Sequence, residues 1–218
     1  MSYRLIIFDM DGTILDTLDD LKNSLNYALA CNHLPSRNTQ EVRSMIGNGI
    51  RRLVELGVPA GASLDVVDQV FADFKPHYDQ HCLDLTRPYP GIMELLKELK
   101  AQGYKLAVVS NKADSAVQSL SQRYFADYFD ISVGERPDVR KKPFPDSVNQ
   151  VMKELDIAAE DTLYVGDSEV DVETCQNANL DLILVDWGFR DRKILLTMPA
   201  KTVISIPDEL LQHLKKAC

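Results

Sequence analysis

Apolar runs of strand length fall at residues 4–8, 105–110, 162–166 and 180–185, and beyond residue 90 they alternate with longer stretches of helical periodicity. Strands separated by whole helices do not pair as hairpins. They form a parallel sheet whose crossovers place helices on its faces. The connecting helices are marked at both ends. Pro90 and Gly91 open one with the apolar positions Ile92, Leu95, Leu96 and Leu99, and Gly103 closes it. Another follows Pro145 with Val148, Val151, Met152 and Leu155. Weaker strand signals at 130–134 and 202–204 extend the pattern, and the fold class expected is α/β with a doubly wound parallel sheet.

Between residues 16 and 87 the strand signal stops. Apolar positions there recur at helical spacing: Leu18, Leu21, Leu25, Ala28 and Leu29, then Val42, Met45 and Ile46, then Leu64, Val67, Val70, Phe71 and Phe74. A complete crossover usually needs about 30 residues, so this segment is too long to be one. It is expected to form a second, all-helical domain at 16–87, inserted into an α/β catalytic core of 1–15 and 88–218. The two linkers, near 15–17 and 86–88, would lie side by side.

A formal net charge of −9 disfavours nucleic acid and anionic membranes as partners, and an anionic substrate would need locally placed cations. Cys31, Cys82, Cys175 and Cys218 show no paired spacing, which points to reduced thiols in a cytoplasm rather than to a zinc site or disulfides. The first apolar run is too short for a signal peptide or membrane span.

The strands end in chemistry. The first runs into Asp9 and Asp11, the second into Ser110 and Asn111, and the third into Asp167 and Ser168, with Asp171 just beyond. In an open parallel sheet these carboxyl ends share one edge, where ligands bind. The stretch RKKPFPD at 140–146 could bring Lys142 to the same edge. Several carboxylates gathered without arginine partners suit a hard cation with oxygen ligands, and Mg²⁺ fits best. A phosphoryl group accounts for the rest: Ser110, Asn111 and Lys142 can each take a non-bridging oxygen. One aspartate of the DxD pair can attack phosphorus while the other handles the proton of the leaving group.

DMDGT at 9–13, SN at 110–111, KKPFP at 141–145 and GDSEVD at 166–171 resemble, in order and spacing, the four motifs of the haloacid-dehalogenase-like hydrolases that carry a helical cap. The resemblance implies a Rossmann-like core, a nucleophile at Asp9 and a general acid and base at Asp11. It also implies phosphoryl binding by Ser110 and Lys142, and Mg²⁺ held by Asp9, the main-chain carbonyl of Asp11 and Asp167, with Asp171 ordering a metal-bound water. The cap segment MIGNGIRRLVE and the late WGFRD at 187–191 look most like phosphoglycolate phosphatases, so a small soluble phosphoester, 2-phosphoglycolate first, is the expected substrate. A haloacid dehalogenase is disfavoured because that branch lacks an aspartate at the place of Asp11. A β-phosphoglucomutase-like hexose-phosphate mutase, a pyrophosphatase or a sugar-phosphate phosphatase would keep the same motifs. A phosphate-sensing module that is not an enzyme would be expected to have lost the nucleophile or the lysine.

Other residues have plainer readings. Ser110 and Asn111 could cap a helix, and Asp171 could favour a helix dipole. His33, His77, His81 and His213 show no ligand spacing, and Asp19 and Asp20 read as solvated helix faces. Gly47, Asn48 and Gly49, between two cap helices, offer backbone N–H groups to a carboxylated leaving group and would close over the core.

Overall fold

A computed structural model describes residues 3–217. The chain divides into two compact units, one of residues up to Leu15 together with those from Pro88 onward, the other Asp16–Arg87. Strands are β1 (Leu5–Phe8), β2 (Leu15–Asp16), β3 (Arg87–Pro88), β4 (Lys105–Ala113), β5 (Ile131–Glu135), β6 (Thr162–Gly166), β7 (Asp181–Val185) and β8 (Thr202–Ile204). Helices are α1 (Leu18–Cys31), α2 (Thr39–Met45), α3 (Ile50–Gly57), α4 (Leu64–His81), α5 (Ile92–Ala101), α6 (Asp114–Phe125), α7 (Asp146–Leu155), α8 (Glu169–Ala178), α9 (Arg192–Leu195) and α10 (Asp208–Ala217). The short strands β2 and β3, where the chain passes between the units, pair with each other.

In the first unit six strands form a parallel sheet in the order β5-β4-β1-β6-β7-β8. Side chains alternate across it as a pleated strand requires. Ile6, Phe8, Leu106, Val108, Leu163 and Val165 face one way and pack with α5 and α6 residues such as Leu95, Leu96, Leu99, Val117 and Leu120. Leu5, Ile7, Ala107, Val109, Tyr164 and Leu184 face the other way, against Val148, Val151 and Met152 of α7 and Val172 and Cys175 of α8. Both faces are therefore covered, and the sheet is doubly wound. Each fully buried aliphatic side chain in these layers contributes about 1.5–3 kcal/mol of hydrophobic stabilisation before chain entropy is subtracted.

The order places β1 at the centre. From β1 the chain goes to β4 and β5 on one side, then returns past β1 to β6, β7 and β8 on the other. Connections leaving β4 and β6 therefore diverge on either side of β1, which opens a crevice at its carboxyl end.

The second unit is helical. Asn38 opens α2 through a capping box with Glu41, and Ser63 accepts from Val66 N at the start of α4. Leu21, Leu25, Ala28 and Leu29 of α1 are buried, as are Val42, Leu53, Val54, Val67, Val70, Phe74 and Tyr78. Four apolar positions in this unit's sequence pattern, Leu18, Met45, Leu64 and Phe71, are not buried. Leu64 is 74% exposed because it starts α4, a turn before that helix's buried face begins, and Leu18 at the start of α1 is half-buried. Cys31 is exposed, Cys82 and Cys175 are buried thiols, and Cys218 lies outside the described residues. No helix among the described residues is long and apolar enough to cross a membrane.

Asp20 corrects the sequence reading. Expected on a solvated face, it is buried at 2% exposure. Its carboxylate accepts the Leu85 N–H at 3.0 and 3.1 Å and the Thr86 N–H at 2.8 Å, tying the start of α1 to the segment that leaves the helical unit. A buried carboxylate is tolerated when main-chain donors replace its water. Asp20→Ala strands those two N–H groups, and chemical denaturation followed by circular dichroism is expected to show a loss of about 2–3 kcal/mol. A change below about 0.5 kcal/mol would mean that water replaces the carboxylate at no cost.

Candidate active site

Asp9 is the first residue beyond β1, and its N–H continues the ladder by donating to Val165 O at 2.9 Å. The residue is 7% exposed. Oδ1 accepts the Met10 N–H at 2.7 Å and lies 2.9 Å from Lys142 Nζ. Burial pushes the Asp9 carboxyl up to about 7; Lys142 opposes that rise, while Asp171 and Asp11 add to it. Asp167, just past β6, is 1% exposed, and its Oδ2 accepts the Phe189 N–H at 2.7 Å. Its carboxyl is raised well above the usual range by burial and by repulsion from Asp171 and Asp9.

Lys142 is buried in the loop before α7. Its Nζ lies 2.8 Å from Asp171 Oδ1, 2.9 Å from Asp9 Oδ1 and 2.9 Å from the Tyr164 hydroxyl. Burial alone would lower its pKa, but Asp171 and Asp9 reverse the direction and hold the ammonium charged. Asn111 fixes the loop that carries it, since Nδ2 donates to Lys142 O at 3.0 Å. The Asn111 side-chain amide thus positions the lysine.

Ser110 and Asn111 do not cap a helix. The strand continues through both to Ala113, and α6 starts at Asp114. Polar residues suggested an end to the strand at 110, but here they remain in extended backbone and line the sheet edge. Ser110 Oγ accepts the Lys112 N–H at 3.3 Å, which leaves the hydroxyl proton to donate. Lys112 is itself a site residue that the sequence did not single out, with Nζ 3.0 and 3.2 Å from the two oxygens of Asp11. Tyr164 is another. Its position inside a uniformly apolar strand gave no signal that its hydroxyl meets Lys142.

Asp171 has both oxygens engaged. Oδ1 accepts from Lys142, and Oδ2 accepts the N–H groups of Asp167 and Ser168 and the Ser168 hydroxyl at 2.8–3.1 Å. It therefore anchors the start of α8 as well as the lysine. The residues around Asp167 are packed to the limit. A Cβ on Gly12, whose φ is +84°, would fall 2.4 Å from Asp167 Oδ2, and one on Gly188 would fall 2.3 Å from Gly12 O. The WGFRD stretch thereby supplies a glycine that presses on the DMDGT turn, the Phe189 N–H that orients Asp167, and Arg190. The Arg190 guanidinium is bidentate to Glu169 at 2.7 Å for both bonds.

Carboxylate oxygens of Asp9, Asp167 and Asp171 lie within 4.8 Å of one another. Buried carboxylate oxygens gathered this closely fit a hard divalent cation, which would remove the repulsion between them. Asp11 directs its carboxylate to Lys112, so only its main-chain carbonyl could join that donor set. Gly47, Asn48 and Gly49 lie in the helical unit, in the turn from α2 to α3, with φ of 127° at Gly47 and 83° at Gly49. His77 and His81 lie on α4 of the same unit with ring centroids 4.3 Å apart and tilted, and His77 stacks on Tyr27 and lies 3.0 Å from Ser24 Oγ.

The sequence is 33% identical to a phosphoglycolate phosphatase of Mesorhizobium japonicum, over 98% of this chain and 96% of that protein. It is 30% identical to an N-acetylmuramic acid 6-phosphate phosphatase of Pseudomonas aeruginosa, over 100% and 97%. The crystal structure of a candidate phosphoglycolate phosphatase from Lactobacillus delbrueckii subsp. bulgaricus superposes with a TM-score of 0.93 at 35% identity, covering 98% of this chain and 99% of that one. The signature of the haloacid dehalogenase-like hydrolases matches residues 6–185, which include every one of the strand-end groups described above. The chain belongs to the haloacid dehalogenase-like hydrolase family.

Proposed function

We propose that this hydrolase is a Mg²⁺-dependent phosphomonoesterase that works through an aspartyl-phosphate on Asp9, with 2-phosphoglycolate as its substrate. The observation that carries the reading is the buried Asp9 carboxylate, set against Lys142 and beside Asp167 at the sheet's switch point. Asp9 attacks phosphorus, forming an acyl phosphate as the bond to the alkoxide breaks. Lys142 and the Ser110 hydroxyl, with the backbone N–H of Asn111, hold non-bridging oxygens, and the Lys142 contact to Asp9 passes to the phosphoryl group as Asp9 is esterified. Asp11 gives its proton to the departing alkoxide, then takes one from the water that hydrolyses the acyl phosphate. Asp9, Asp167 and the Asp11 carbonyl would hold Mg²⁺, with Asp171 behind them. When bound, Mg²⁺ polarises the phosphoryl group and keeps the carboxylates ionised.

The substrate assignment draws on the named activities of the relatives. Phosphoglycolate and N-acetylmuramic acid 6-phosphate are both phosphate esters that carry a carboxylate, so a carboxylated phosphoester is the class supported, and the sugar acid is the second reading. Selection for that carboxylate is assigned to the 47–49 turn of the helical unit. Phosphate release is to be measured on both esters, on glucose phosphates and on pyrophosphate. The reading requires kcat/KM for 2-phosphoglycolate to exceed that for the non-carboxylated compounds by about tenfold or more, a difference of one or two good contacts. Isomerisation of a glucose phosphate without phosphate release would make the protein a mutase.

Chelation is expected to abolish turnover and added Mg²⁺ to restore it, because bare carboxylates repel a phosphate dianion; full activity in excess chelator would overturn the mechanism. Asp9→Asn is expected to abolish the phosphorylated enzyme, whereas Asp11→Asn slows the proton-transfer steps by roughly 10²–10⁴-fold. A phosphorylated Asp9→Asn protein, detected by mass spectrometry, would place the nucleophile elsewhere. Gly49→Val forces a β-branched residue into positive φ and is expected to impair hydrolysis of a carboxylated ester far more than that of an activated aryl phosphate. Equal effects on both would remove the turn from substrate selection.

A further inference from the structure

Lys112 is a cation of the site to which the mechanism above gives no task. It lies on β4 two residues beyond Ser110, its side chain 1% exposed, with the ammonium on both oxygens of Asp11 at 3.0 and 3.2 Å. The backbone is shaped to put it there. The β4–β5 register shifts between Val109 and Ala113, and the Lys112 N–H is held by Ser110 Oγ. Gly134 on β5 comes so near that a Cβ there would lie 2.6 Å from Lys112 O. Taking an ammonium out of water is costly, and an apolar side chain would fill the space with less penalty. A lysine buried on one carboxylate therefore points to a requirement on where that carboxylate lies.

Asp11 has the freedom that makes such a requirement real. Its side chain is 17% exposed, and its carboxylate does not join the oxygen cluster of Asp9, Asp167 and Asp171. Drawn into that cluster by a bound cation, the carboxylate could not exchange a proton with the leaving group.

We propose that Lys112 is a positioning residue for Asp11. By holding both carboxylate oxygens, it keeps Asp11 out of the cation cluster and in the one orientation from which it serves the leaving-group oxygen. The inference rests on the reading of Asp11 as the acid and base. It separates Lys112 from Lys142: the first acts through Asp11, the second on the phosphoryl group.

The test uses the leaving group. Release of the alcohol in the first turnover is measured for the best alkyl phosphoester of the panel and for p-nitrophenyl phosphate, whose good leaving group needs little protonation. Lys112→Met is expected to slow alkyl release by roughly 10–100-fold while p-nitrophenol release stays within about threefold, with KM unchanged for both. Combined with Asp11→Asn, it is expected to add little further loss, since residues acting as a unit are not additive. Lys112→Gln keeps a hydrogen-bond donor near Asp11 and is expected to fall between; it carries the same comparison where the Met variant does not fold. Equal losses on both substrates, a rise in KM as a phosphate ligand would give, or full additivity with Asp11→Asn would each overturn the assignment of Lys112. An Asp11→Asn protein that shows no dependence on the leaving group would instead overturn the reading of Asp11.

Discussion

The structure turns on the balance between three buried carboxylates and the buried ammonium of Lys142. Asp9, Asp167 and Asp171 lie within 4.8 Å at the centre of the sheet edge, and Lys142 touches two of them. Like charges so close and so dry repel strongly, which is why burial and neighbouring acids raise both Asp9 and Asp167. One lysine cannot satisfy three carboxylates. Much of the remainder is met by main-chain N–H groups of Met10, Asp167, Ser168 and Phe189. A site held this way is stable only with rigid surroundings. The surroundings are closely packed because Gly12 and Gly188 let the backbone close in around Asp167 without a side chain between.

The parallel sheet supplies the placement. With β1 central and flanked by β4 and β6, the residues following each of the three strands are brought to adjacent positions, although they are about a hundred residues apart along part of the chain. The pleat then separates tasks by parity. Phe8 and Val108 point into one core layer, while Tyr164 points into the other, where its hydroxyl reaches Lys142. A buried tyrosine that needed a hydrogen-bond partner thereby becomes part of the network that sets the lysine.

In the helical unit a similar economy appears at Asp20, whose carboxylate holds the departing segment by its backbone at Leu85 and Thr86. The unit is otherwise an ordinary helical core, with its glycines in positive φ where α2 turns into α3.

Local pattern was enough for much of this. Short apolar runs of strand length, two of them weak, located all six strands of the main sheet to within a few residues, and helical spacing separated residues 16–87 from the α/β chain. Four motifs in order named Asp9, Asp11, Ser110, Lys142 and Asp167 as site candidates, because polar residues follow apolar strand runs at Asp9, Asp11, Ser110 and Asp167, and Lys142 stands in the basic, proline-braced loop of the motif between them. What pattern could not carry is any interaction decided by distance in space. Asp20 reads as a surface acid because its partners are backbone N–H groups more than sixty residues away. Lys112 carries no signal in the sequence, and only the fold, with its shifted β4–β5 register, buries it on Asp11. Gly188 looks like any loop glycine until Gly12 is seen against it. Sequence determines what each residue prefers over a turn or a strand; the tertiary structure alone decides which desolvated charges face each other, since that depends on how separate strands are brought side by side.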